Sequence, residues 1–392
     1  MRIVLVNTFF PSHRGGLEIV AGRLAMELAR LGAEIEWFAG DATPPPVPVA
    51  GITTRPVHCW NWTENRLGIP WPIWTPLASL KLLRSIAHAD VVHIHDCLYA
   101  SSMMAFVAAK VCRKPVVFTQ HIDVIPYRSK LLSALMRLAT GIASHMLTWS
   151  AQTVFIGSKT LEYFRSRKKF HRSPVLIPNG VDSVHFSPRI QQERARIRRN
   201  LGIKEDAAVN LFVGRFVEKK GLNLLRELVH GTPDMSWIFL GWGPLDPRLW
   251  GERNVICPGA VSQEDTADYY RAADLLVLPS VGEGFPLVVQ EAMSCGTPCL
   301  VTHDTAAGLE QPPDCLLRSS LTTLAFGEAV KSFHKNVRKK LELRTEVAEF
   351  AKKQWDWTSV GIAYLEVFRR VSSIGSASEN TRQQHSPEAK AS

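Results

Sequence analysis

Short runs of β-branched and aromatic residues recur through the first half of the chain, at Arg2 to Val6, Glu34 to Ala39, Val91 to His95, Pro115 to Thr119 and Thr153 to Ile156. They lack polar–apolar alternation, and their spacing leaves room for a helix after each. Continuous apolar strands separated by helices predict a parallel sheet covered on both faces. A second series follows at Val209 to Val213, Trp237 to Leu240, Asn254 to Ile256, Leu275 to Leu278 and Cys299 to Val301. Helical segments such as Leu222 to Val229 and Asp265 to Ala273 separate its members. The pattern predicts two doubly wound α/β lobes, and two lobes imply a cleft.

The hinge is expected in Ser173 to Leu201, which begins PVLIPNGVD with the turn residues Pro178, Asn179 and Gly180 and then turns basic. This sets the domains at 1–173 and 174–354. Beyond Arg318 the chain reads as helical and charged. Trp355 to Val371 places Trp357, Val360, Ala363, Tyr364 and Val367 at helical spacing, an apolar stripe that needs a surface to pack on. The polar residues 372–392 read as a disordered tail. Trp60 to Pro76 is rich in Trp and Pro and reads as a structured loop, since proline removes amide donors.

Length agrees with two domains, because 392 residues exceed what one ordinary core holds. Apolar residues at 46% and charged residues at 21% exclude global disorder. No secretory h-region opens the chain, and the apolar stretch Leu98 to Val111 is too short to cross a bilayer. The seven cysteines are scattered without C-x-x-C pairs and read as reduced thiols of a cytoplasmic protein. The net charge of +10 is uneven: Arg165 to Arg199 holds ten Lys or Arg against Asp182 and Glu193. That block suits anionic lipid headgroups or a phosphate-bearing acceptor, and equally a solvated helix face. With only Phe170 and Phe186 among its charges, it does not suit nucleic acid.

The chemistry concentrates in Leu275 to Val301: a strand, a loop with Glu283 and Gly284, a helix opened by Pro286 and closed by Gly296, and another strand. Glu291 lies about five residues into that helix, roughly 7.5 Å along its axis. One ligand then reaches both carboxylates, with the amides of Gly284 through Leu287 favouring anions or hydroxyls at the helix start. A helix cap plus a surface glutamate explains the same residues. Upstream, Arg215 follows a strand ending at Gly214, and Lys220 precedes Gly221 and a helix. A guanidinium fork and an ammonium point charge together suit a departing diphosphate, although both also suit an ordinary surface. In the first lobe, Gly15 and Gly16 precede the helix Glu18 to Leu31 and admit close approach of a phosphate. Neither G-x-G-x-x-G as a dinucleotide fingerprint nor the P-loop pattern occurs. His121 ends a strand, where such sheets present ligands, or is structural. His93, His95 and Asp96 end a neighbouring strand without a third metal ligand, and no D-x-D pair exists.

In this order, Gly15–Gly16, T-x-H at His121, PNGVD at Asn179 to Asp182, GR and KG at Arg215 and Lys220, and EGFPLVVQE from Glu283 to Glu291 resemble the family 4 (group 1) retaining glycosyltransferases. The resemblance runs to about Val371. It implies the GT-B fold, two Rossmann-like domains facing across a cleft, with the helix 355–371 crossing back to the first. By the same resemblance Glu283 contacts the transferred sugar and Glu291 the ribose, while Arg215 and Lys220 bind the diphosphate. Gly16 lends its amide to the diphosphate, the amides of Phe285, Pro286 and Leu287 bind sugar or phosphate, and His121 lies near the sugar. It further implies a nucleoside-diphosphate-sugar donor, a glycan or lipid-linked acceptor, no metal and no cofactor. The commonest setting of such enzymes is bacterial cell-surface polysaccharide or lipopolysaccharide assembly. After Pro298, CLVTHDTAAGLE departs from the family's run of small residues, leaving open what Thr305 to Gly308 touch.

Two other readings use the same residues: a nucleotide-sugar epimerase of this fold, and a non-catalytic sugar-nucleotide-binding protein. The basic block, with the amphipathic segment Tyr127 to Trp149, raises the further expectation of peripheral attachment to the inner membrane face. A pair of core helices explains that segment as well.

Overall fold

The structure is a computed structural model that describes residues 1–13, 15–62, 71–75, 78–121, 130–282 and 285–384. The chain divides into two compact units: Met1–Ile156 with Thr160–Pro178 and Trp357–Ser392, and Gly157–Lys159 with Asn179–Asp356.

The first unit carries β1 (Arg2–Phe9), β2 (Glu34–Gly40), β3 (Ile52–Val57), β4 (Cys59–Trp60), β5 (Ile73–Trp74), β6 (Val91–His95), β7 (Val116–Gln120), β8 (Gln152–Phe155) and β9 (Val175–Leu176). Seven of these form a parallel sheet in the order β3-β2-β1-β6-β7-β8-β9, and β4 and β5 pair antiparallel at the two ends of the Trp- and Pro-rich segment. Residues 63–70 and 76 of that segment lie outside the described residues. Alternate residues of one strand point to opposite faces. Ile3 and Leu5 thus meet the helix Gly16–Arg30, while Val4 and Val6 belong to the core on the other face. Both faces are filled, which is why the strands read as unbroken apolar runs.

The helix beginning at Trp357 belongs to this unit. Val360, Tyr364, Val367 and Phe368 bury against the same face as the helix Gly16–Arg30, giving the apolar stripe its surface. The helix runs on to Gln384, through part of the segment read from composition as a disordered tail.

The second unit has a parallel six-stranded sheet in the order β12-β11-β10-β13-β14-β15. Its strands are β10 (Val209–Val213), β11 (Ser236–Leu240), β12 (Val255–Gly259), β13 (Leu275–Leu278), β14 (Cys299–Thr302) and β15 (Leu317–Ser319).

The basic block is divided. Arg165 to Arg172 lie in the first unit and Arg189 to Arg199 in the second. Arg194 and Arg198 are turned inward, their guanidinium groups 2.7 and 3.1 Å from the two oxygens of Asp274. Asp274 also accepts the Val209 amide at 2.9 Å and so ties the starts of β10 and β13 to the helix Gln191–Asn200. Burial raises the pKa of this carboxyl, but Arg198, Arg194 and the amide outweigh it and leave the net shift downward. Part of what reads as surface charge is therefore internal.

Candidate functional site

In the second sheet the chain leaves β10 toward β11 on one side and later leaves β13 toward β14 on the other. The carboxyl ends of β10 and β13 thus bound a topological switch point, the place where open α/β sheets bind ligands. Gly214, Arg215 and the turn Glu218–Lys220 follow β10, and residues 279–286 follow β13.

The two loops are stitched together. Gly221 has φ +78°, and a Cβ there would stand 2.5 Å from the Pro279 carbonyl oxygen, so only glycine lets the turn approach this closely. The Val281 amide donates to the Lys219 carbonyl at 3.0 Å. Lys220 Cε lies 3.9 Å from where a Gly214 Cβ would be, so the lysine stem runs along the backbone next to Arg215. Both cations therefore follow the end of one strand.

A feature missed by sequence reading supports Arg215. Beyond β11 the chain reads Gly241, Trp242, Gly243, and the Arg215 guanidinium lies 4.8 Å from the exposed Trp242 ring. A Cβ on Gly241 would fall 1.9 Å from the Gly214 carbonyl oxygen. Without it, pairing continues past the strand ends: Gly214 N donates to Leu240 O at 2.9 Å and Phe216 N to Trp242 O at 2.8 Å. Two glycines flanking a tryptophan directly after a predicted strand were the available signal.

Glu283 and Gly284 lie outside the described residues. Their flanks are anchored: the Gly282 amide donates to Asp304 Oδ2 at 3.4 Å, and Phe285 is buried against Trp355, ring centroids 5.6 Å apart. Pro286 is the N-cap, with φ −69° and ψ 132°, and Leu287 opens the helix Leu287–Ser294. Pro286 has no N–H, so the expectation of a donating amide there is corrected: its ring-fixed φ directs the helix start instead. Glu291 sits within the helix, and its Oε2 accepts the Tyr270 hydroxyl at 2.9 Å. Burial first, and then the Glu291 charge, push the Tyr270 pKa upward, so the phenol stays a donor that holds the carboxylate. The departure after Pro298 also finds partners. Thr302 and Thr305 hydroxyls donate to the Ser280 carbonyl, while the Ala307 and Gly308 carbonyls accept from Ser158.

In the first unit Gly15 is the N-cap of the helix that starts at Gly16. A Cβ at Gly15 would meet Glu18 Oε2 at 2.0 Å, whereas nothing lies within 4 Å at Gly16. The protein's own carboxylate thus occupies the space over Gly15, and approach is open only at Gly16. His121 follows β7, is 5% exposed, and places Nε2 2.8 Å from His95 Nδ1. Its amide donates to Asp96 Oδ1 at 2.9 Å, and Asp96 adopts φ +56° at the end of β6. His93 Nε2 lies 2.8 Å from Thr119 Oγ1, which is 3.0 Å from the Tyr364 hydroxyl. Burial lowers all three histidine pKa values, to about 3 for His93 and His121 and well below the usual range for His95. These rings are neutral. Among the described residues no group of three or more His, Cys, Asp or Glu is placed to hold a metal.

A family model described as glycosyltransferase family 4 matches residues 14–184, and one described as glycosyl transferases group 1 matches residues 193–311. The putative teichuronic acid biosynthesis glycosyltransferase TuaC of Bacillus subtilis is 28% identical over 91% of this chain and 95% of its own. Among solved structures, a sucrose-phosphate synthase from Thermosynechococcus elongatus matches with TM-score 0.73 at 19% identity, over 95% of this chain and 100% of that one. Anabaena HepE in complex with UDP and glucose matches with TM-score 0.73 at 15% identity, over 94% and 99%.

Proposed function

The chain belongs to the group 1 glycosyltransferases of the GT-B fold, and on that premise we propose that it transfers a sugar from a nucleoside diphosphate sugar to a glycan or lipid-linked acceptor with retention at the anomeric carbon. The observation that carries this reading is the placement of Arg215 and Lys220 at the switch point of the second sheet. As the bond from the anomeric carbon to the diphosphate breaks, negative charge grows on the leaving oxygen. A guanidinium fork and an ammonium stabilise it without a divalent ion. The departing oxygen takes the proton of the acceptor hydroxyl, which attacks from the same face. Glu283 is assigned to the transferred sugar and Glu291, steadied by Tyr270, to the ribose. The UDP and UDP-glucose complexes of HepE support a nucleotide-sugar donor.

Incubation with a panel of nucleotide sugars and candidate acceptors tests this. One donor is expected to give a glycosylated product with its anomeric configuration kept, at a rate EDTA does not change. A free epimer without acceptor would show the epimerase instead, and binding without turnover across the panel would show a sensor.

The setting proposed is assembly of bacterial cell-surface polysaccharide or lipopolysaccharide, supported by the name of the TuaC relative. No helix among the described residues is long and apolar enough to cross a membrane. The first unit does expose Val107, Val111, Leu138, Ile142 and Trp149, each 60% or more accessible. Lysines interleave with them: Lys110 Nζ donates to the Trp149 carbonyl at 2.6 Å and Lys168 Nζ to the Gly141 carbonyl at 2.8 Å. Apolar side chains among cations match an anionic bilayer surface, where each lysine or arginine contributes about 1 kcal/mol. The full chain is expected to float with vesicles containing phosphatidylglycerol, less so at high salt, and not with phosphatidylcholine alone. Equal recovery with both lipids would remove the membrane from this account.

A further inference from the structure

Whichever role His121 has, its chemistry depends on which ring nitrogen carries the proton. The hydrogen bond between His95 Nδ1 and His121 Nε2, 2.8 Å long, needs one proton between two neutral rings. Two arrangements satisfy it. If His121 Nε2–H donates, His95 must carry its own proton on Nε2; if His95 Nδ1–H donates, His121 must carry its proton on Nδ1.

The surroundings of His95 separate the two. Its Nε2 is buried and has no hydrogen-bond partner among the described residues. In the first arrangement that atom is a buried N–H without an acceptor, the rarer and costlier kind of orphan; in the second it is a bare lone pair. We infer that His95 is a positioning residue that donates Nδ1–H to His121 Nε2 and thereby fixes His121 as the tautomer presenting Nδ1–H to a substrate oxygen. This rests on the reading of His121 as a substrate-contacting residue. Asp96 acts on the same side chain from the backbone, holding the His121 amide at 2.9 Å. Burial keeps both rings neutral, so the assignment holds at neutral pH.

The functional consequence is directional. A neutral imidazole with Nδ1–H donates to a hydroxyl oxygen and does not act as a base toward it. Substrate recognition at His121 therefore favours a ligand atom that accepts.

Long-range nitrogen–proton NMR of the full chain labelled with ¹⁵N-histidine tests the assignment without substrate, with His121→Asn identifying the His121 signals. A protonated Nδ1 and bare Nε2 on His121 are expected, and the reverse overturns the proposal. In kinetics, His95→Leu is expected to lower kcat/KM about tenfold, the loss of one hydrogen bond. His95→Asn, whose amide nitrogen falls near the Nδ1 position, should recover most of it. In a His121→Phe background His95→Leu should cost nothing further, whereas a merely structural His95 would lower kcat/KM in either background. If His121→Phe itself leaves kcat/KM unchanged while the tautomer is as assigned, the substrate-contact reading fails and the positioning by His95 stands.

Discussion

Lys220→Ala is expected to lower kcat/KM for sugar transfer by about 100- to 1,000-fold, the usual cost of removing one preorganised group from a developing negative charge. The size of the effect follows from how firmly the lysine is held. Its turn ends at Gly221, which fits only because it lacks a side chain against Pro279, and the adjoining loop is bonded to the turn through Lys219 and Val281. On the proposed reading the ammonium then meets the leaving group from a turn whose backbone is already fixed. Lys220→Arg should recover little, because a longer planar head cannot take the same place beside Gly214. Lys220 is only half-buried, so the thermal midpoint should move little. A loss below threefold would show that Lys220 does not face the reacting phosphate.

The second large effect is on stability. His93 and His121 have folded pKa values of about 3, against about 6.5 when unfolded. Between those limits the unfolded chain binds protons that the folded chain does not, so stability is full above about pH 6.5 and falls as the pH drops toward 3. At pH 5 the two rings together should cost about 4 kcal/mol relative to pH 7.5, at 1.36 kcal/mol per pKa unit each. His95, shifted in the same direction, adds to the loss. Denaturant titration of the full chain at both pH values measures it. His93→Phe should shrink the fall by about 2 kcal/mol, since one proton-binding group is gone. An identical pH dependence in the variant would mean that the folded cluster takes up protons readily.

The central strands of both sheets were legible because covering on both faces leaves no polar alternation to confuse the pattern. Of the four edge strands only β12 was read, and the other three were not. Ile52–Val57 carries two threonines, an arginine and a proline on a half-exposed edge, and β9 and β15 have only two and three residues. The position of Arg215 and Lys220 after β10 was legible because a glycine beside each marks a turn after a strand. Arg194 and Arg198 read as surface charge, since nothing local announces that Asp274, about 80 residues on, waits beneath them. The His95–His121 pair was hidden for a similar reason: only the parallel register, which sets His95 opposite Thr119, brings residue 121 alongside. Glu18 filling the space over Gly15 depends on one side-chain rotation that no spacing rule encodes.

The claim that Arg215 and Lys220 form one diphosphate site is tested most directly by calorimetric titration of nucleoside diphosphates into the wild-type chain and Arg215→Ala/Lys220→Ala. One site per chain is expected in the wild type, with affinity falling about 10- to 100-fold for each charged hydrogen-bonding group removed. Equal affinity in the double variant would contradict the site.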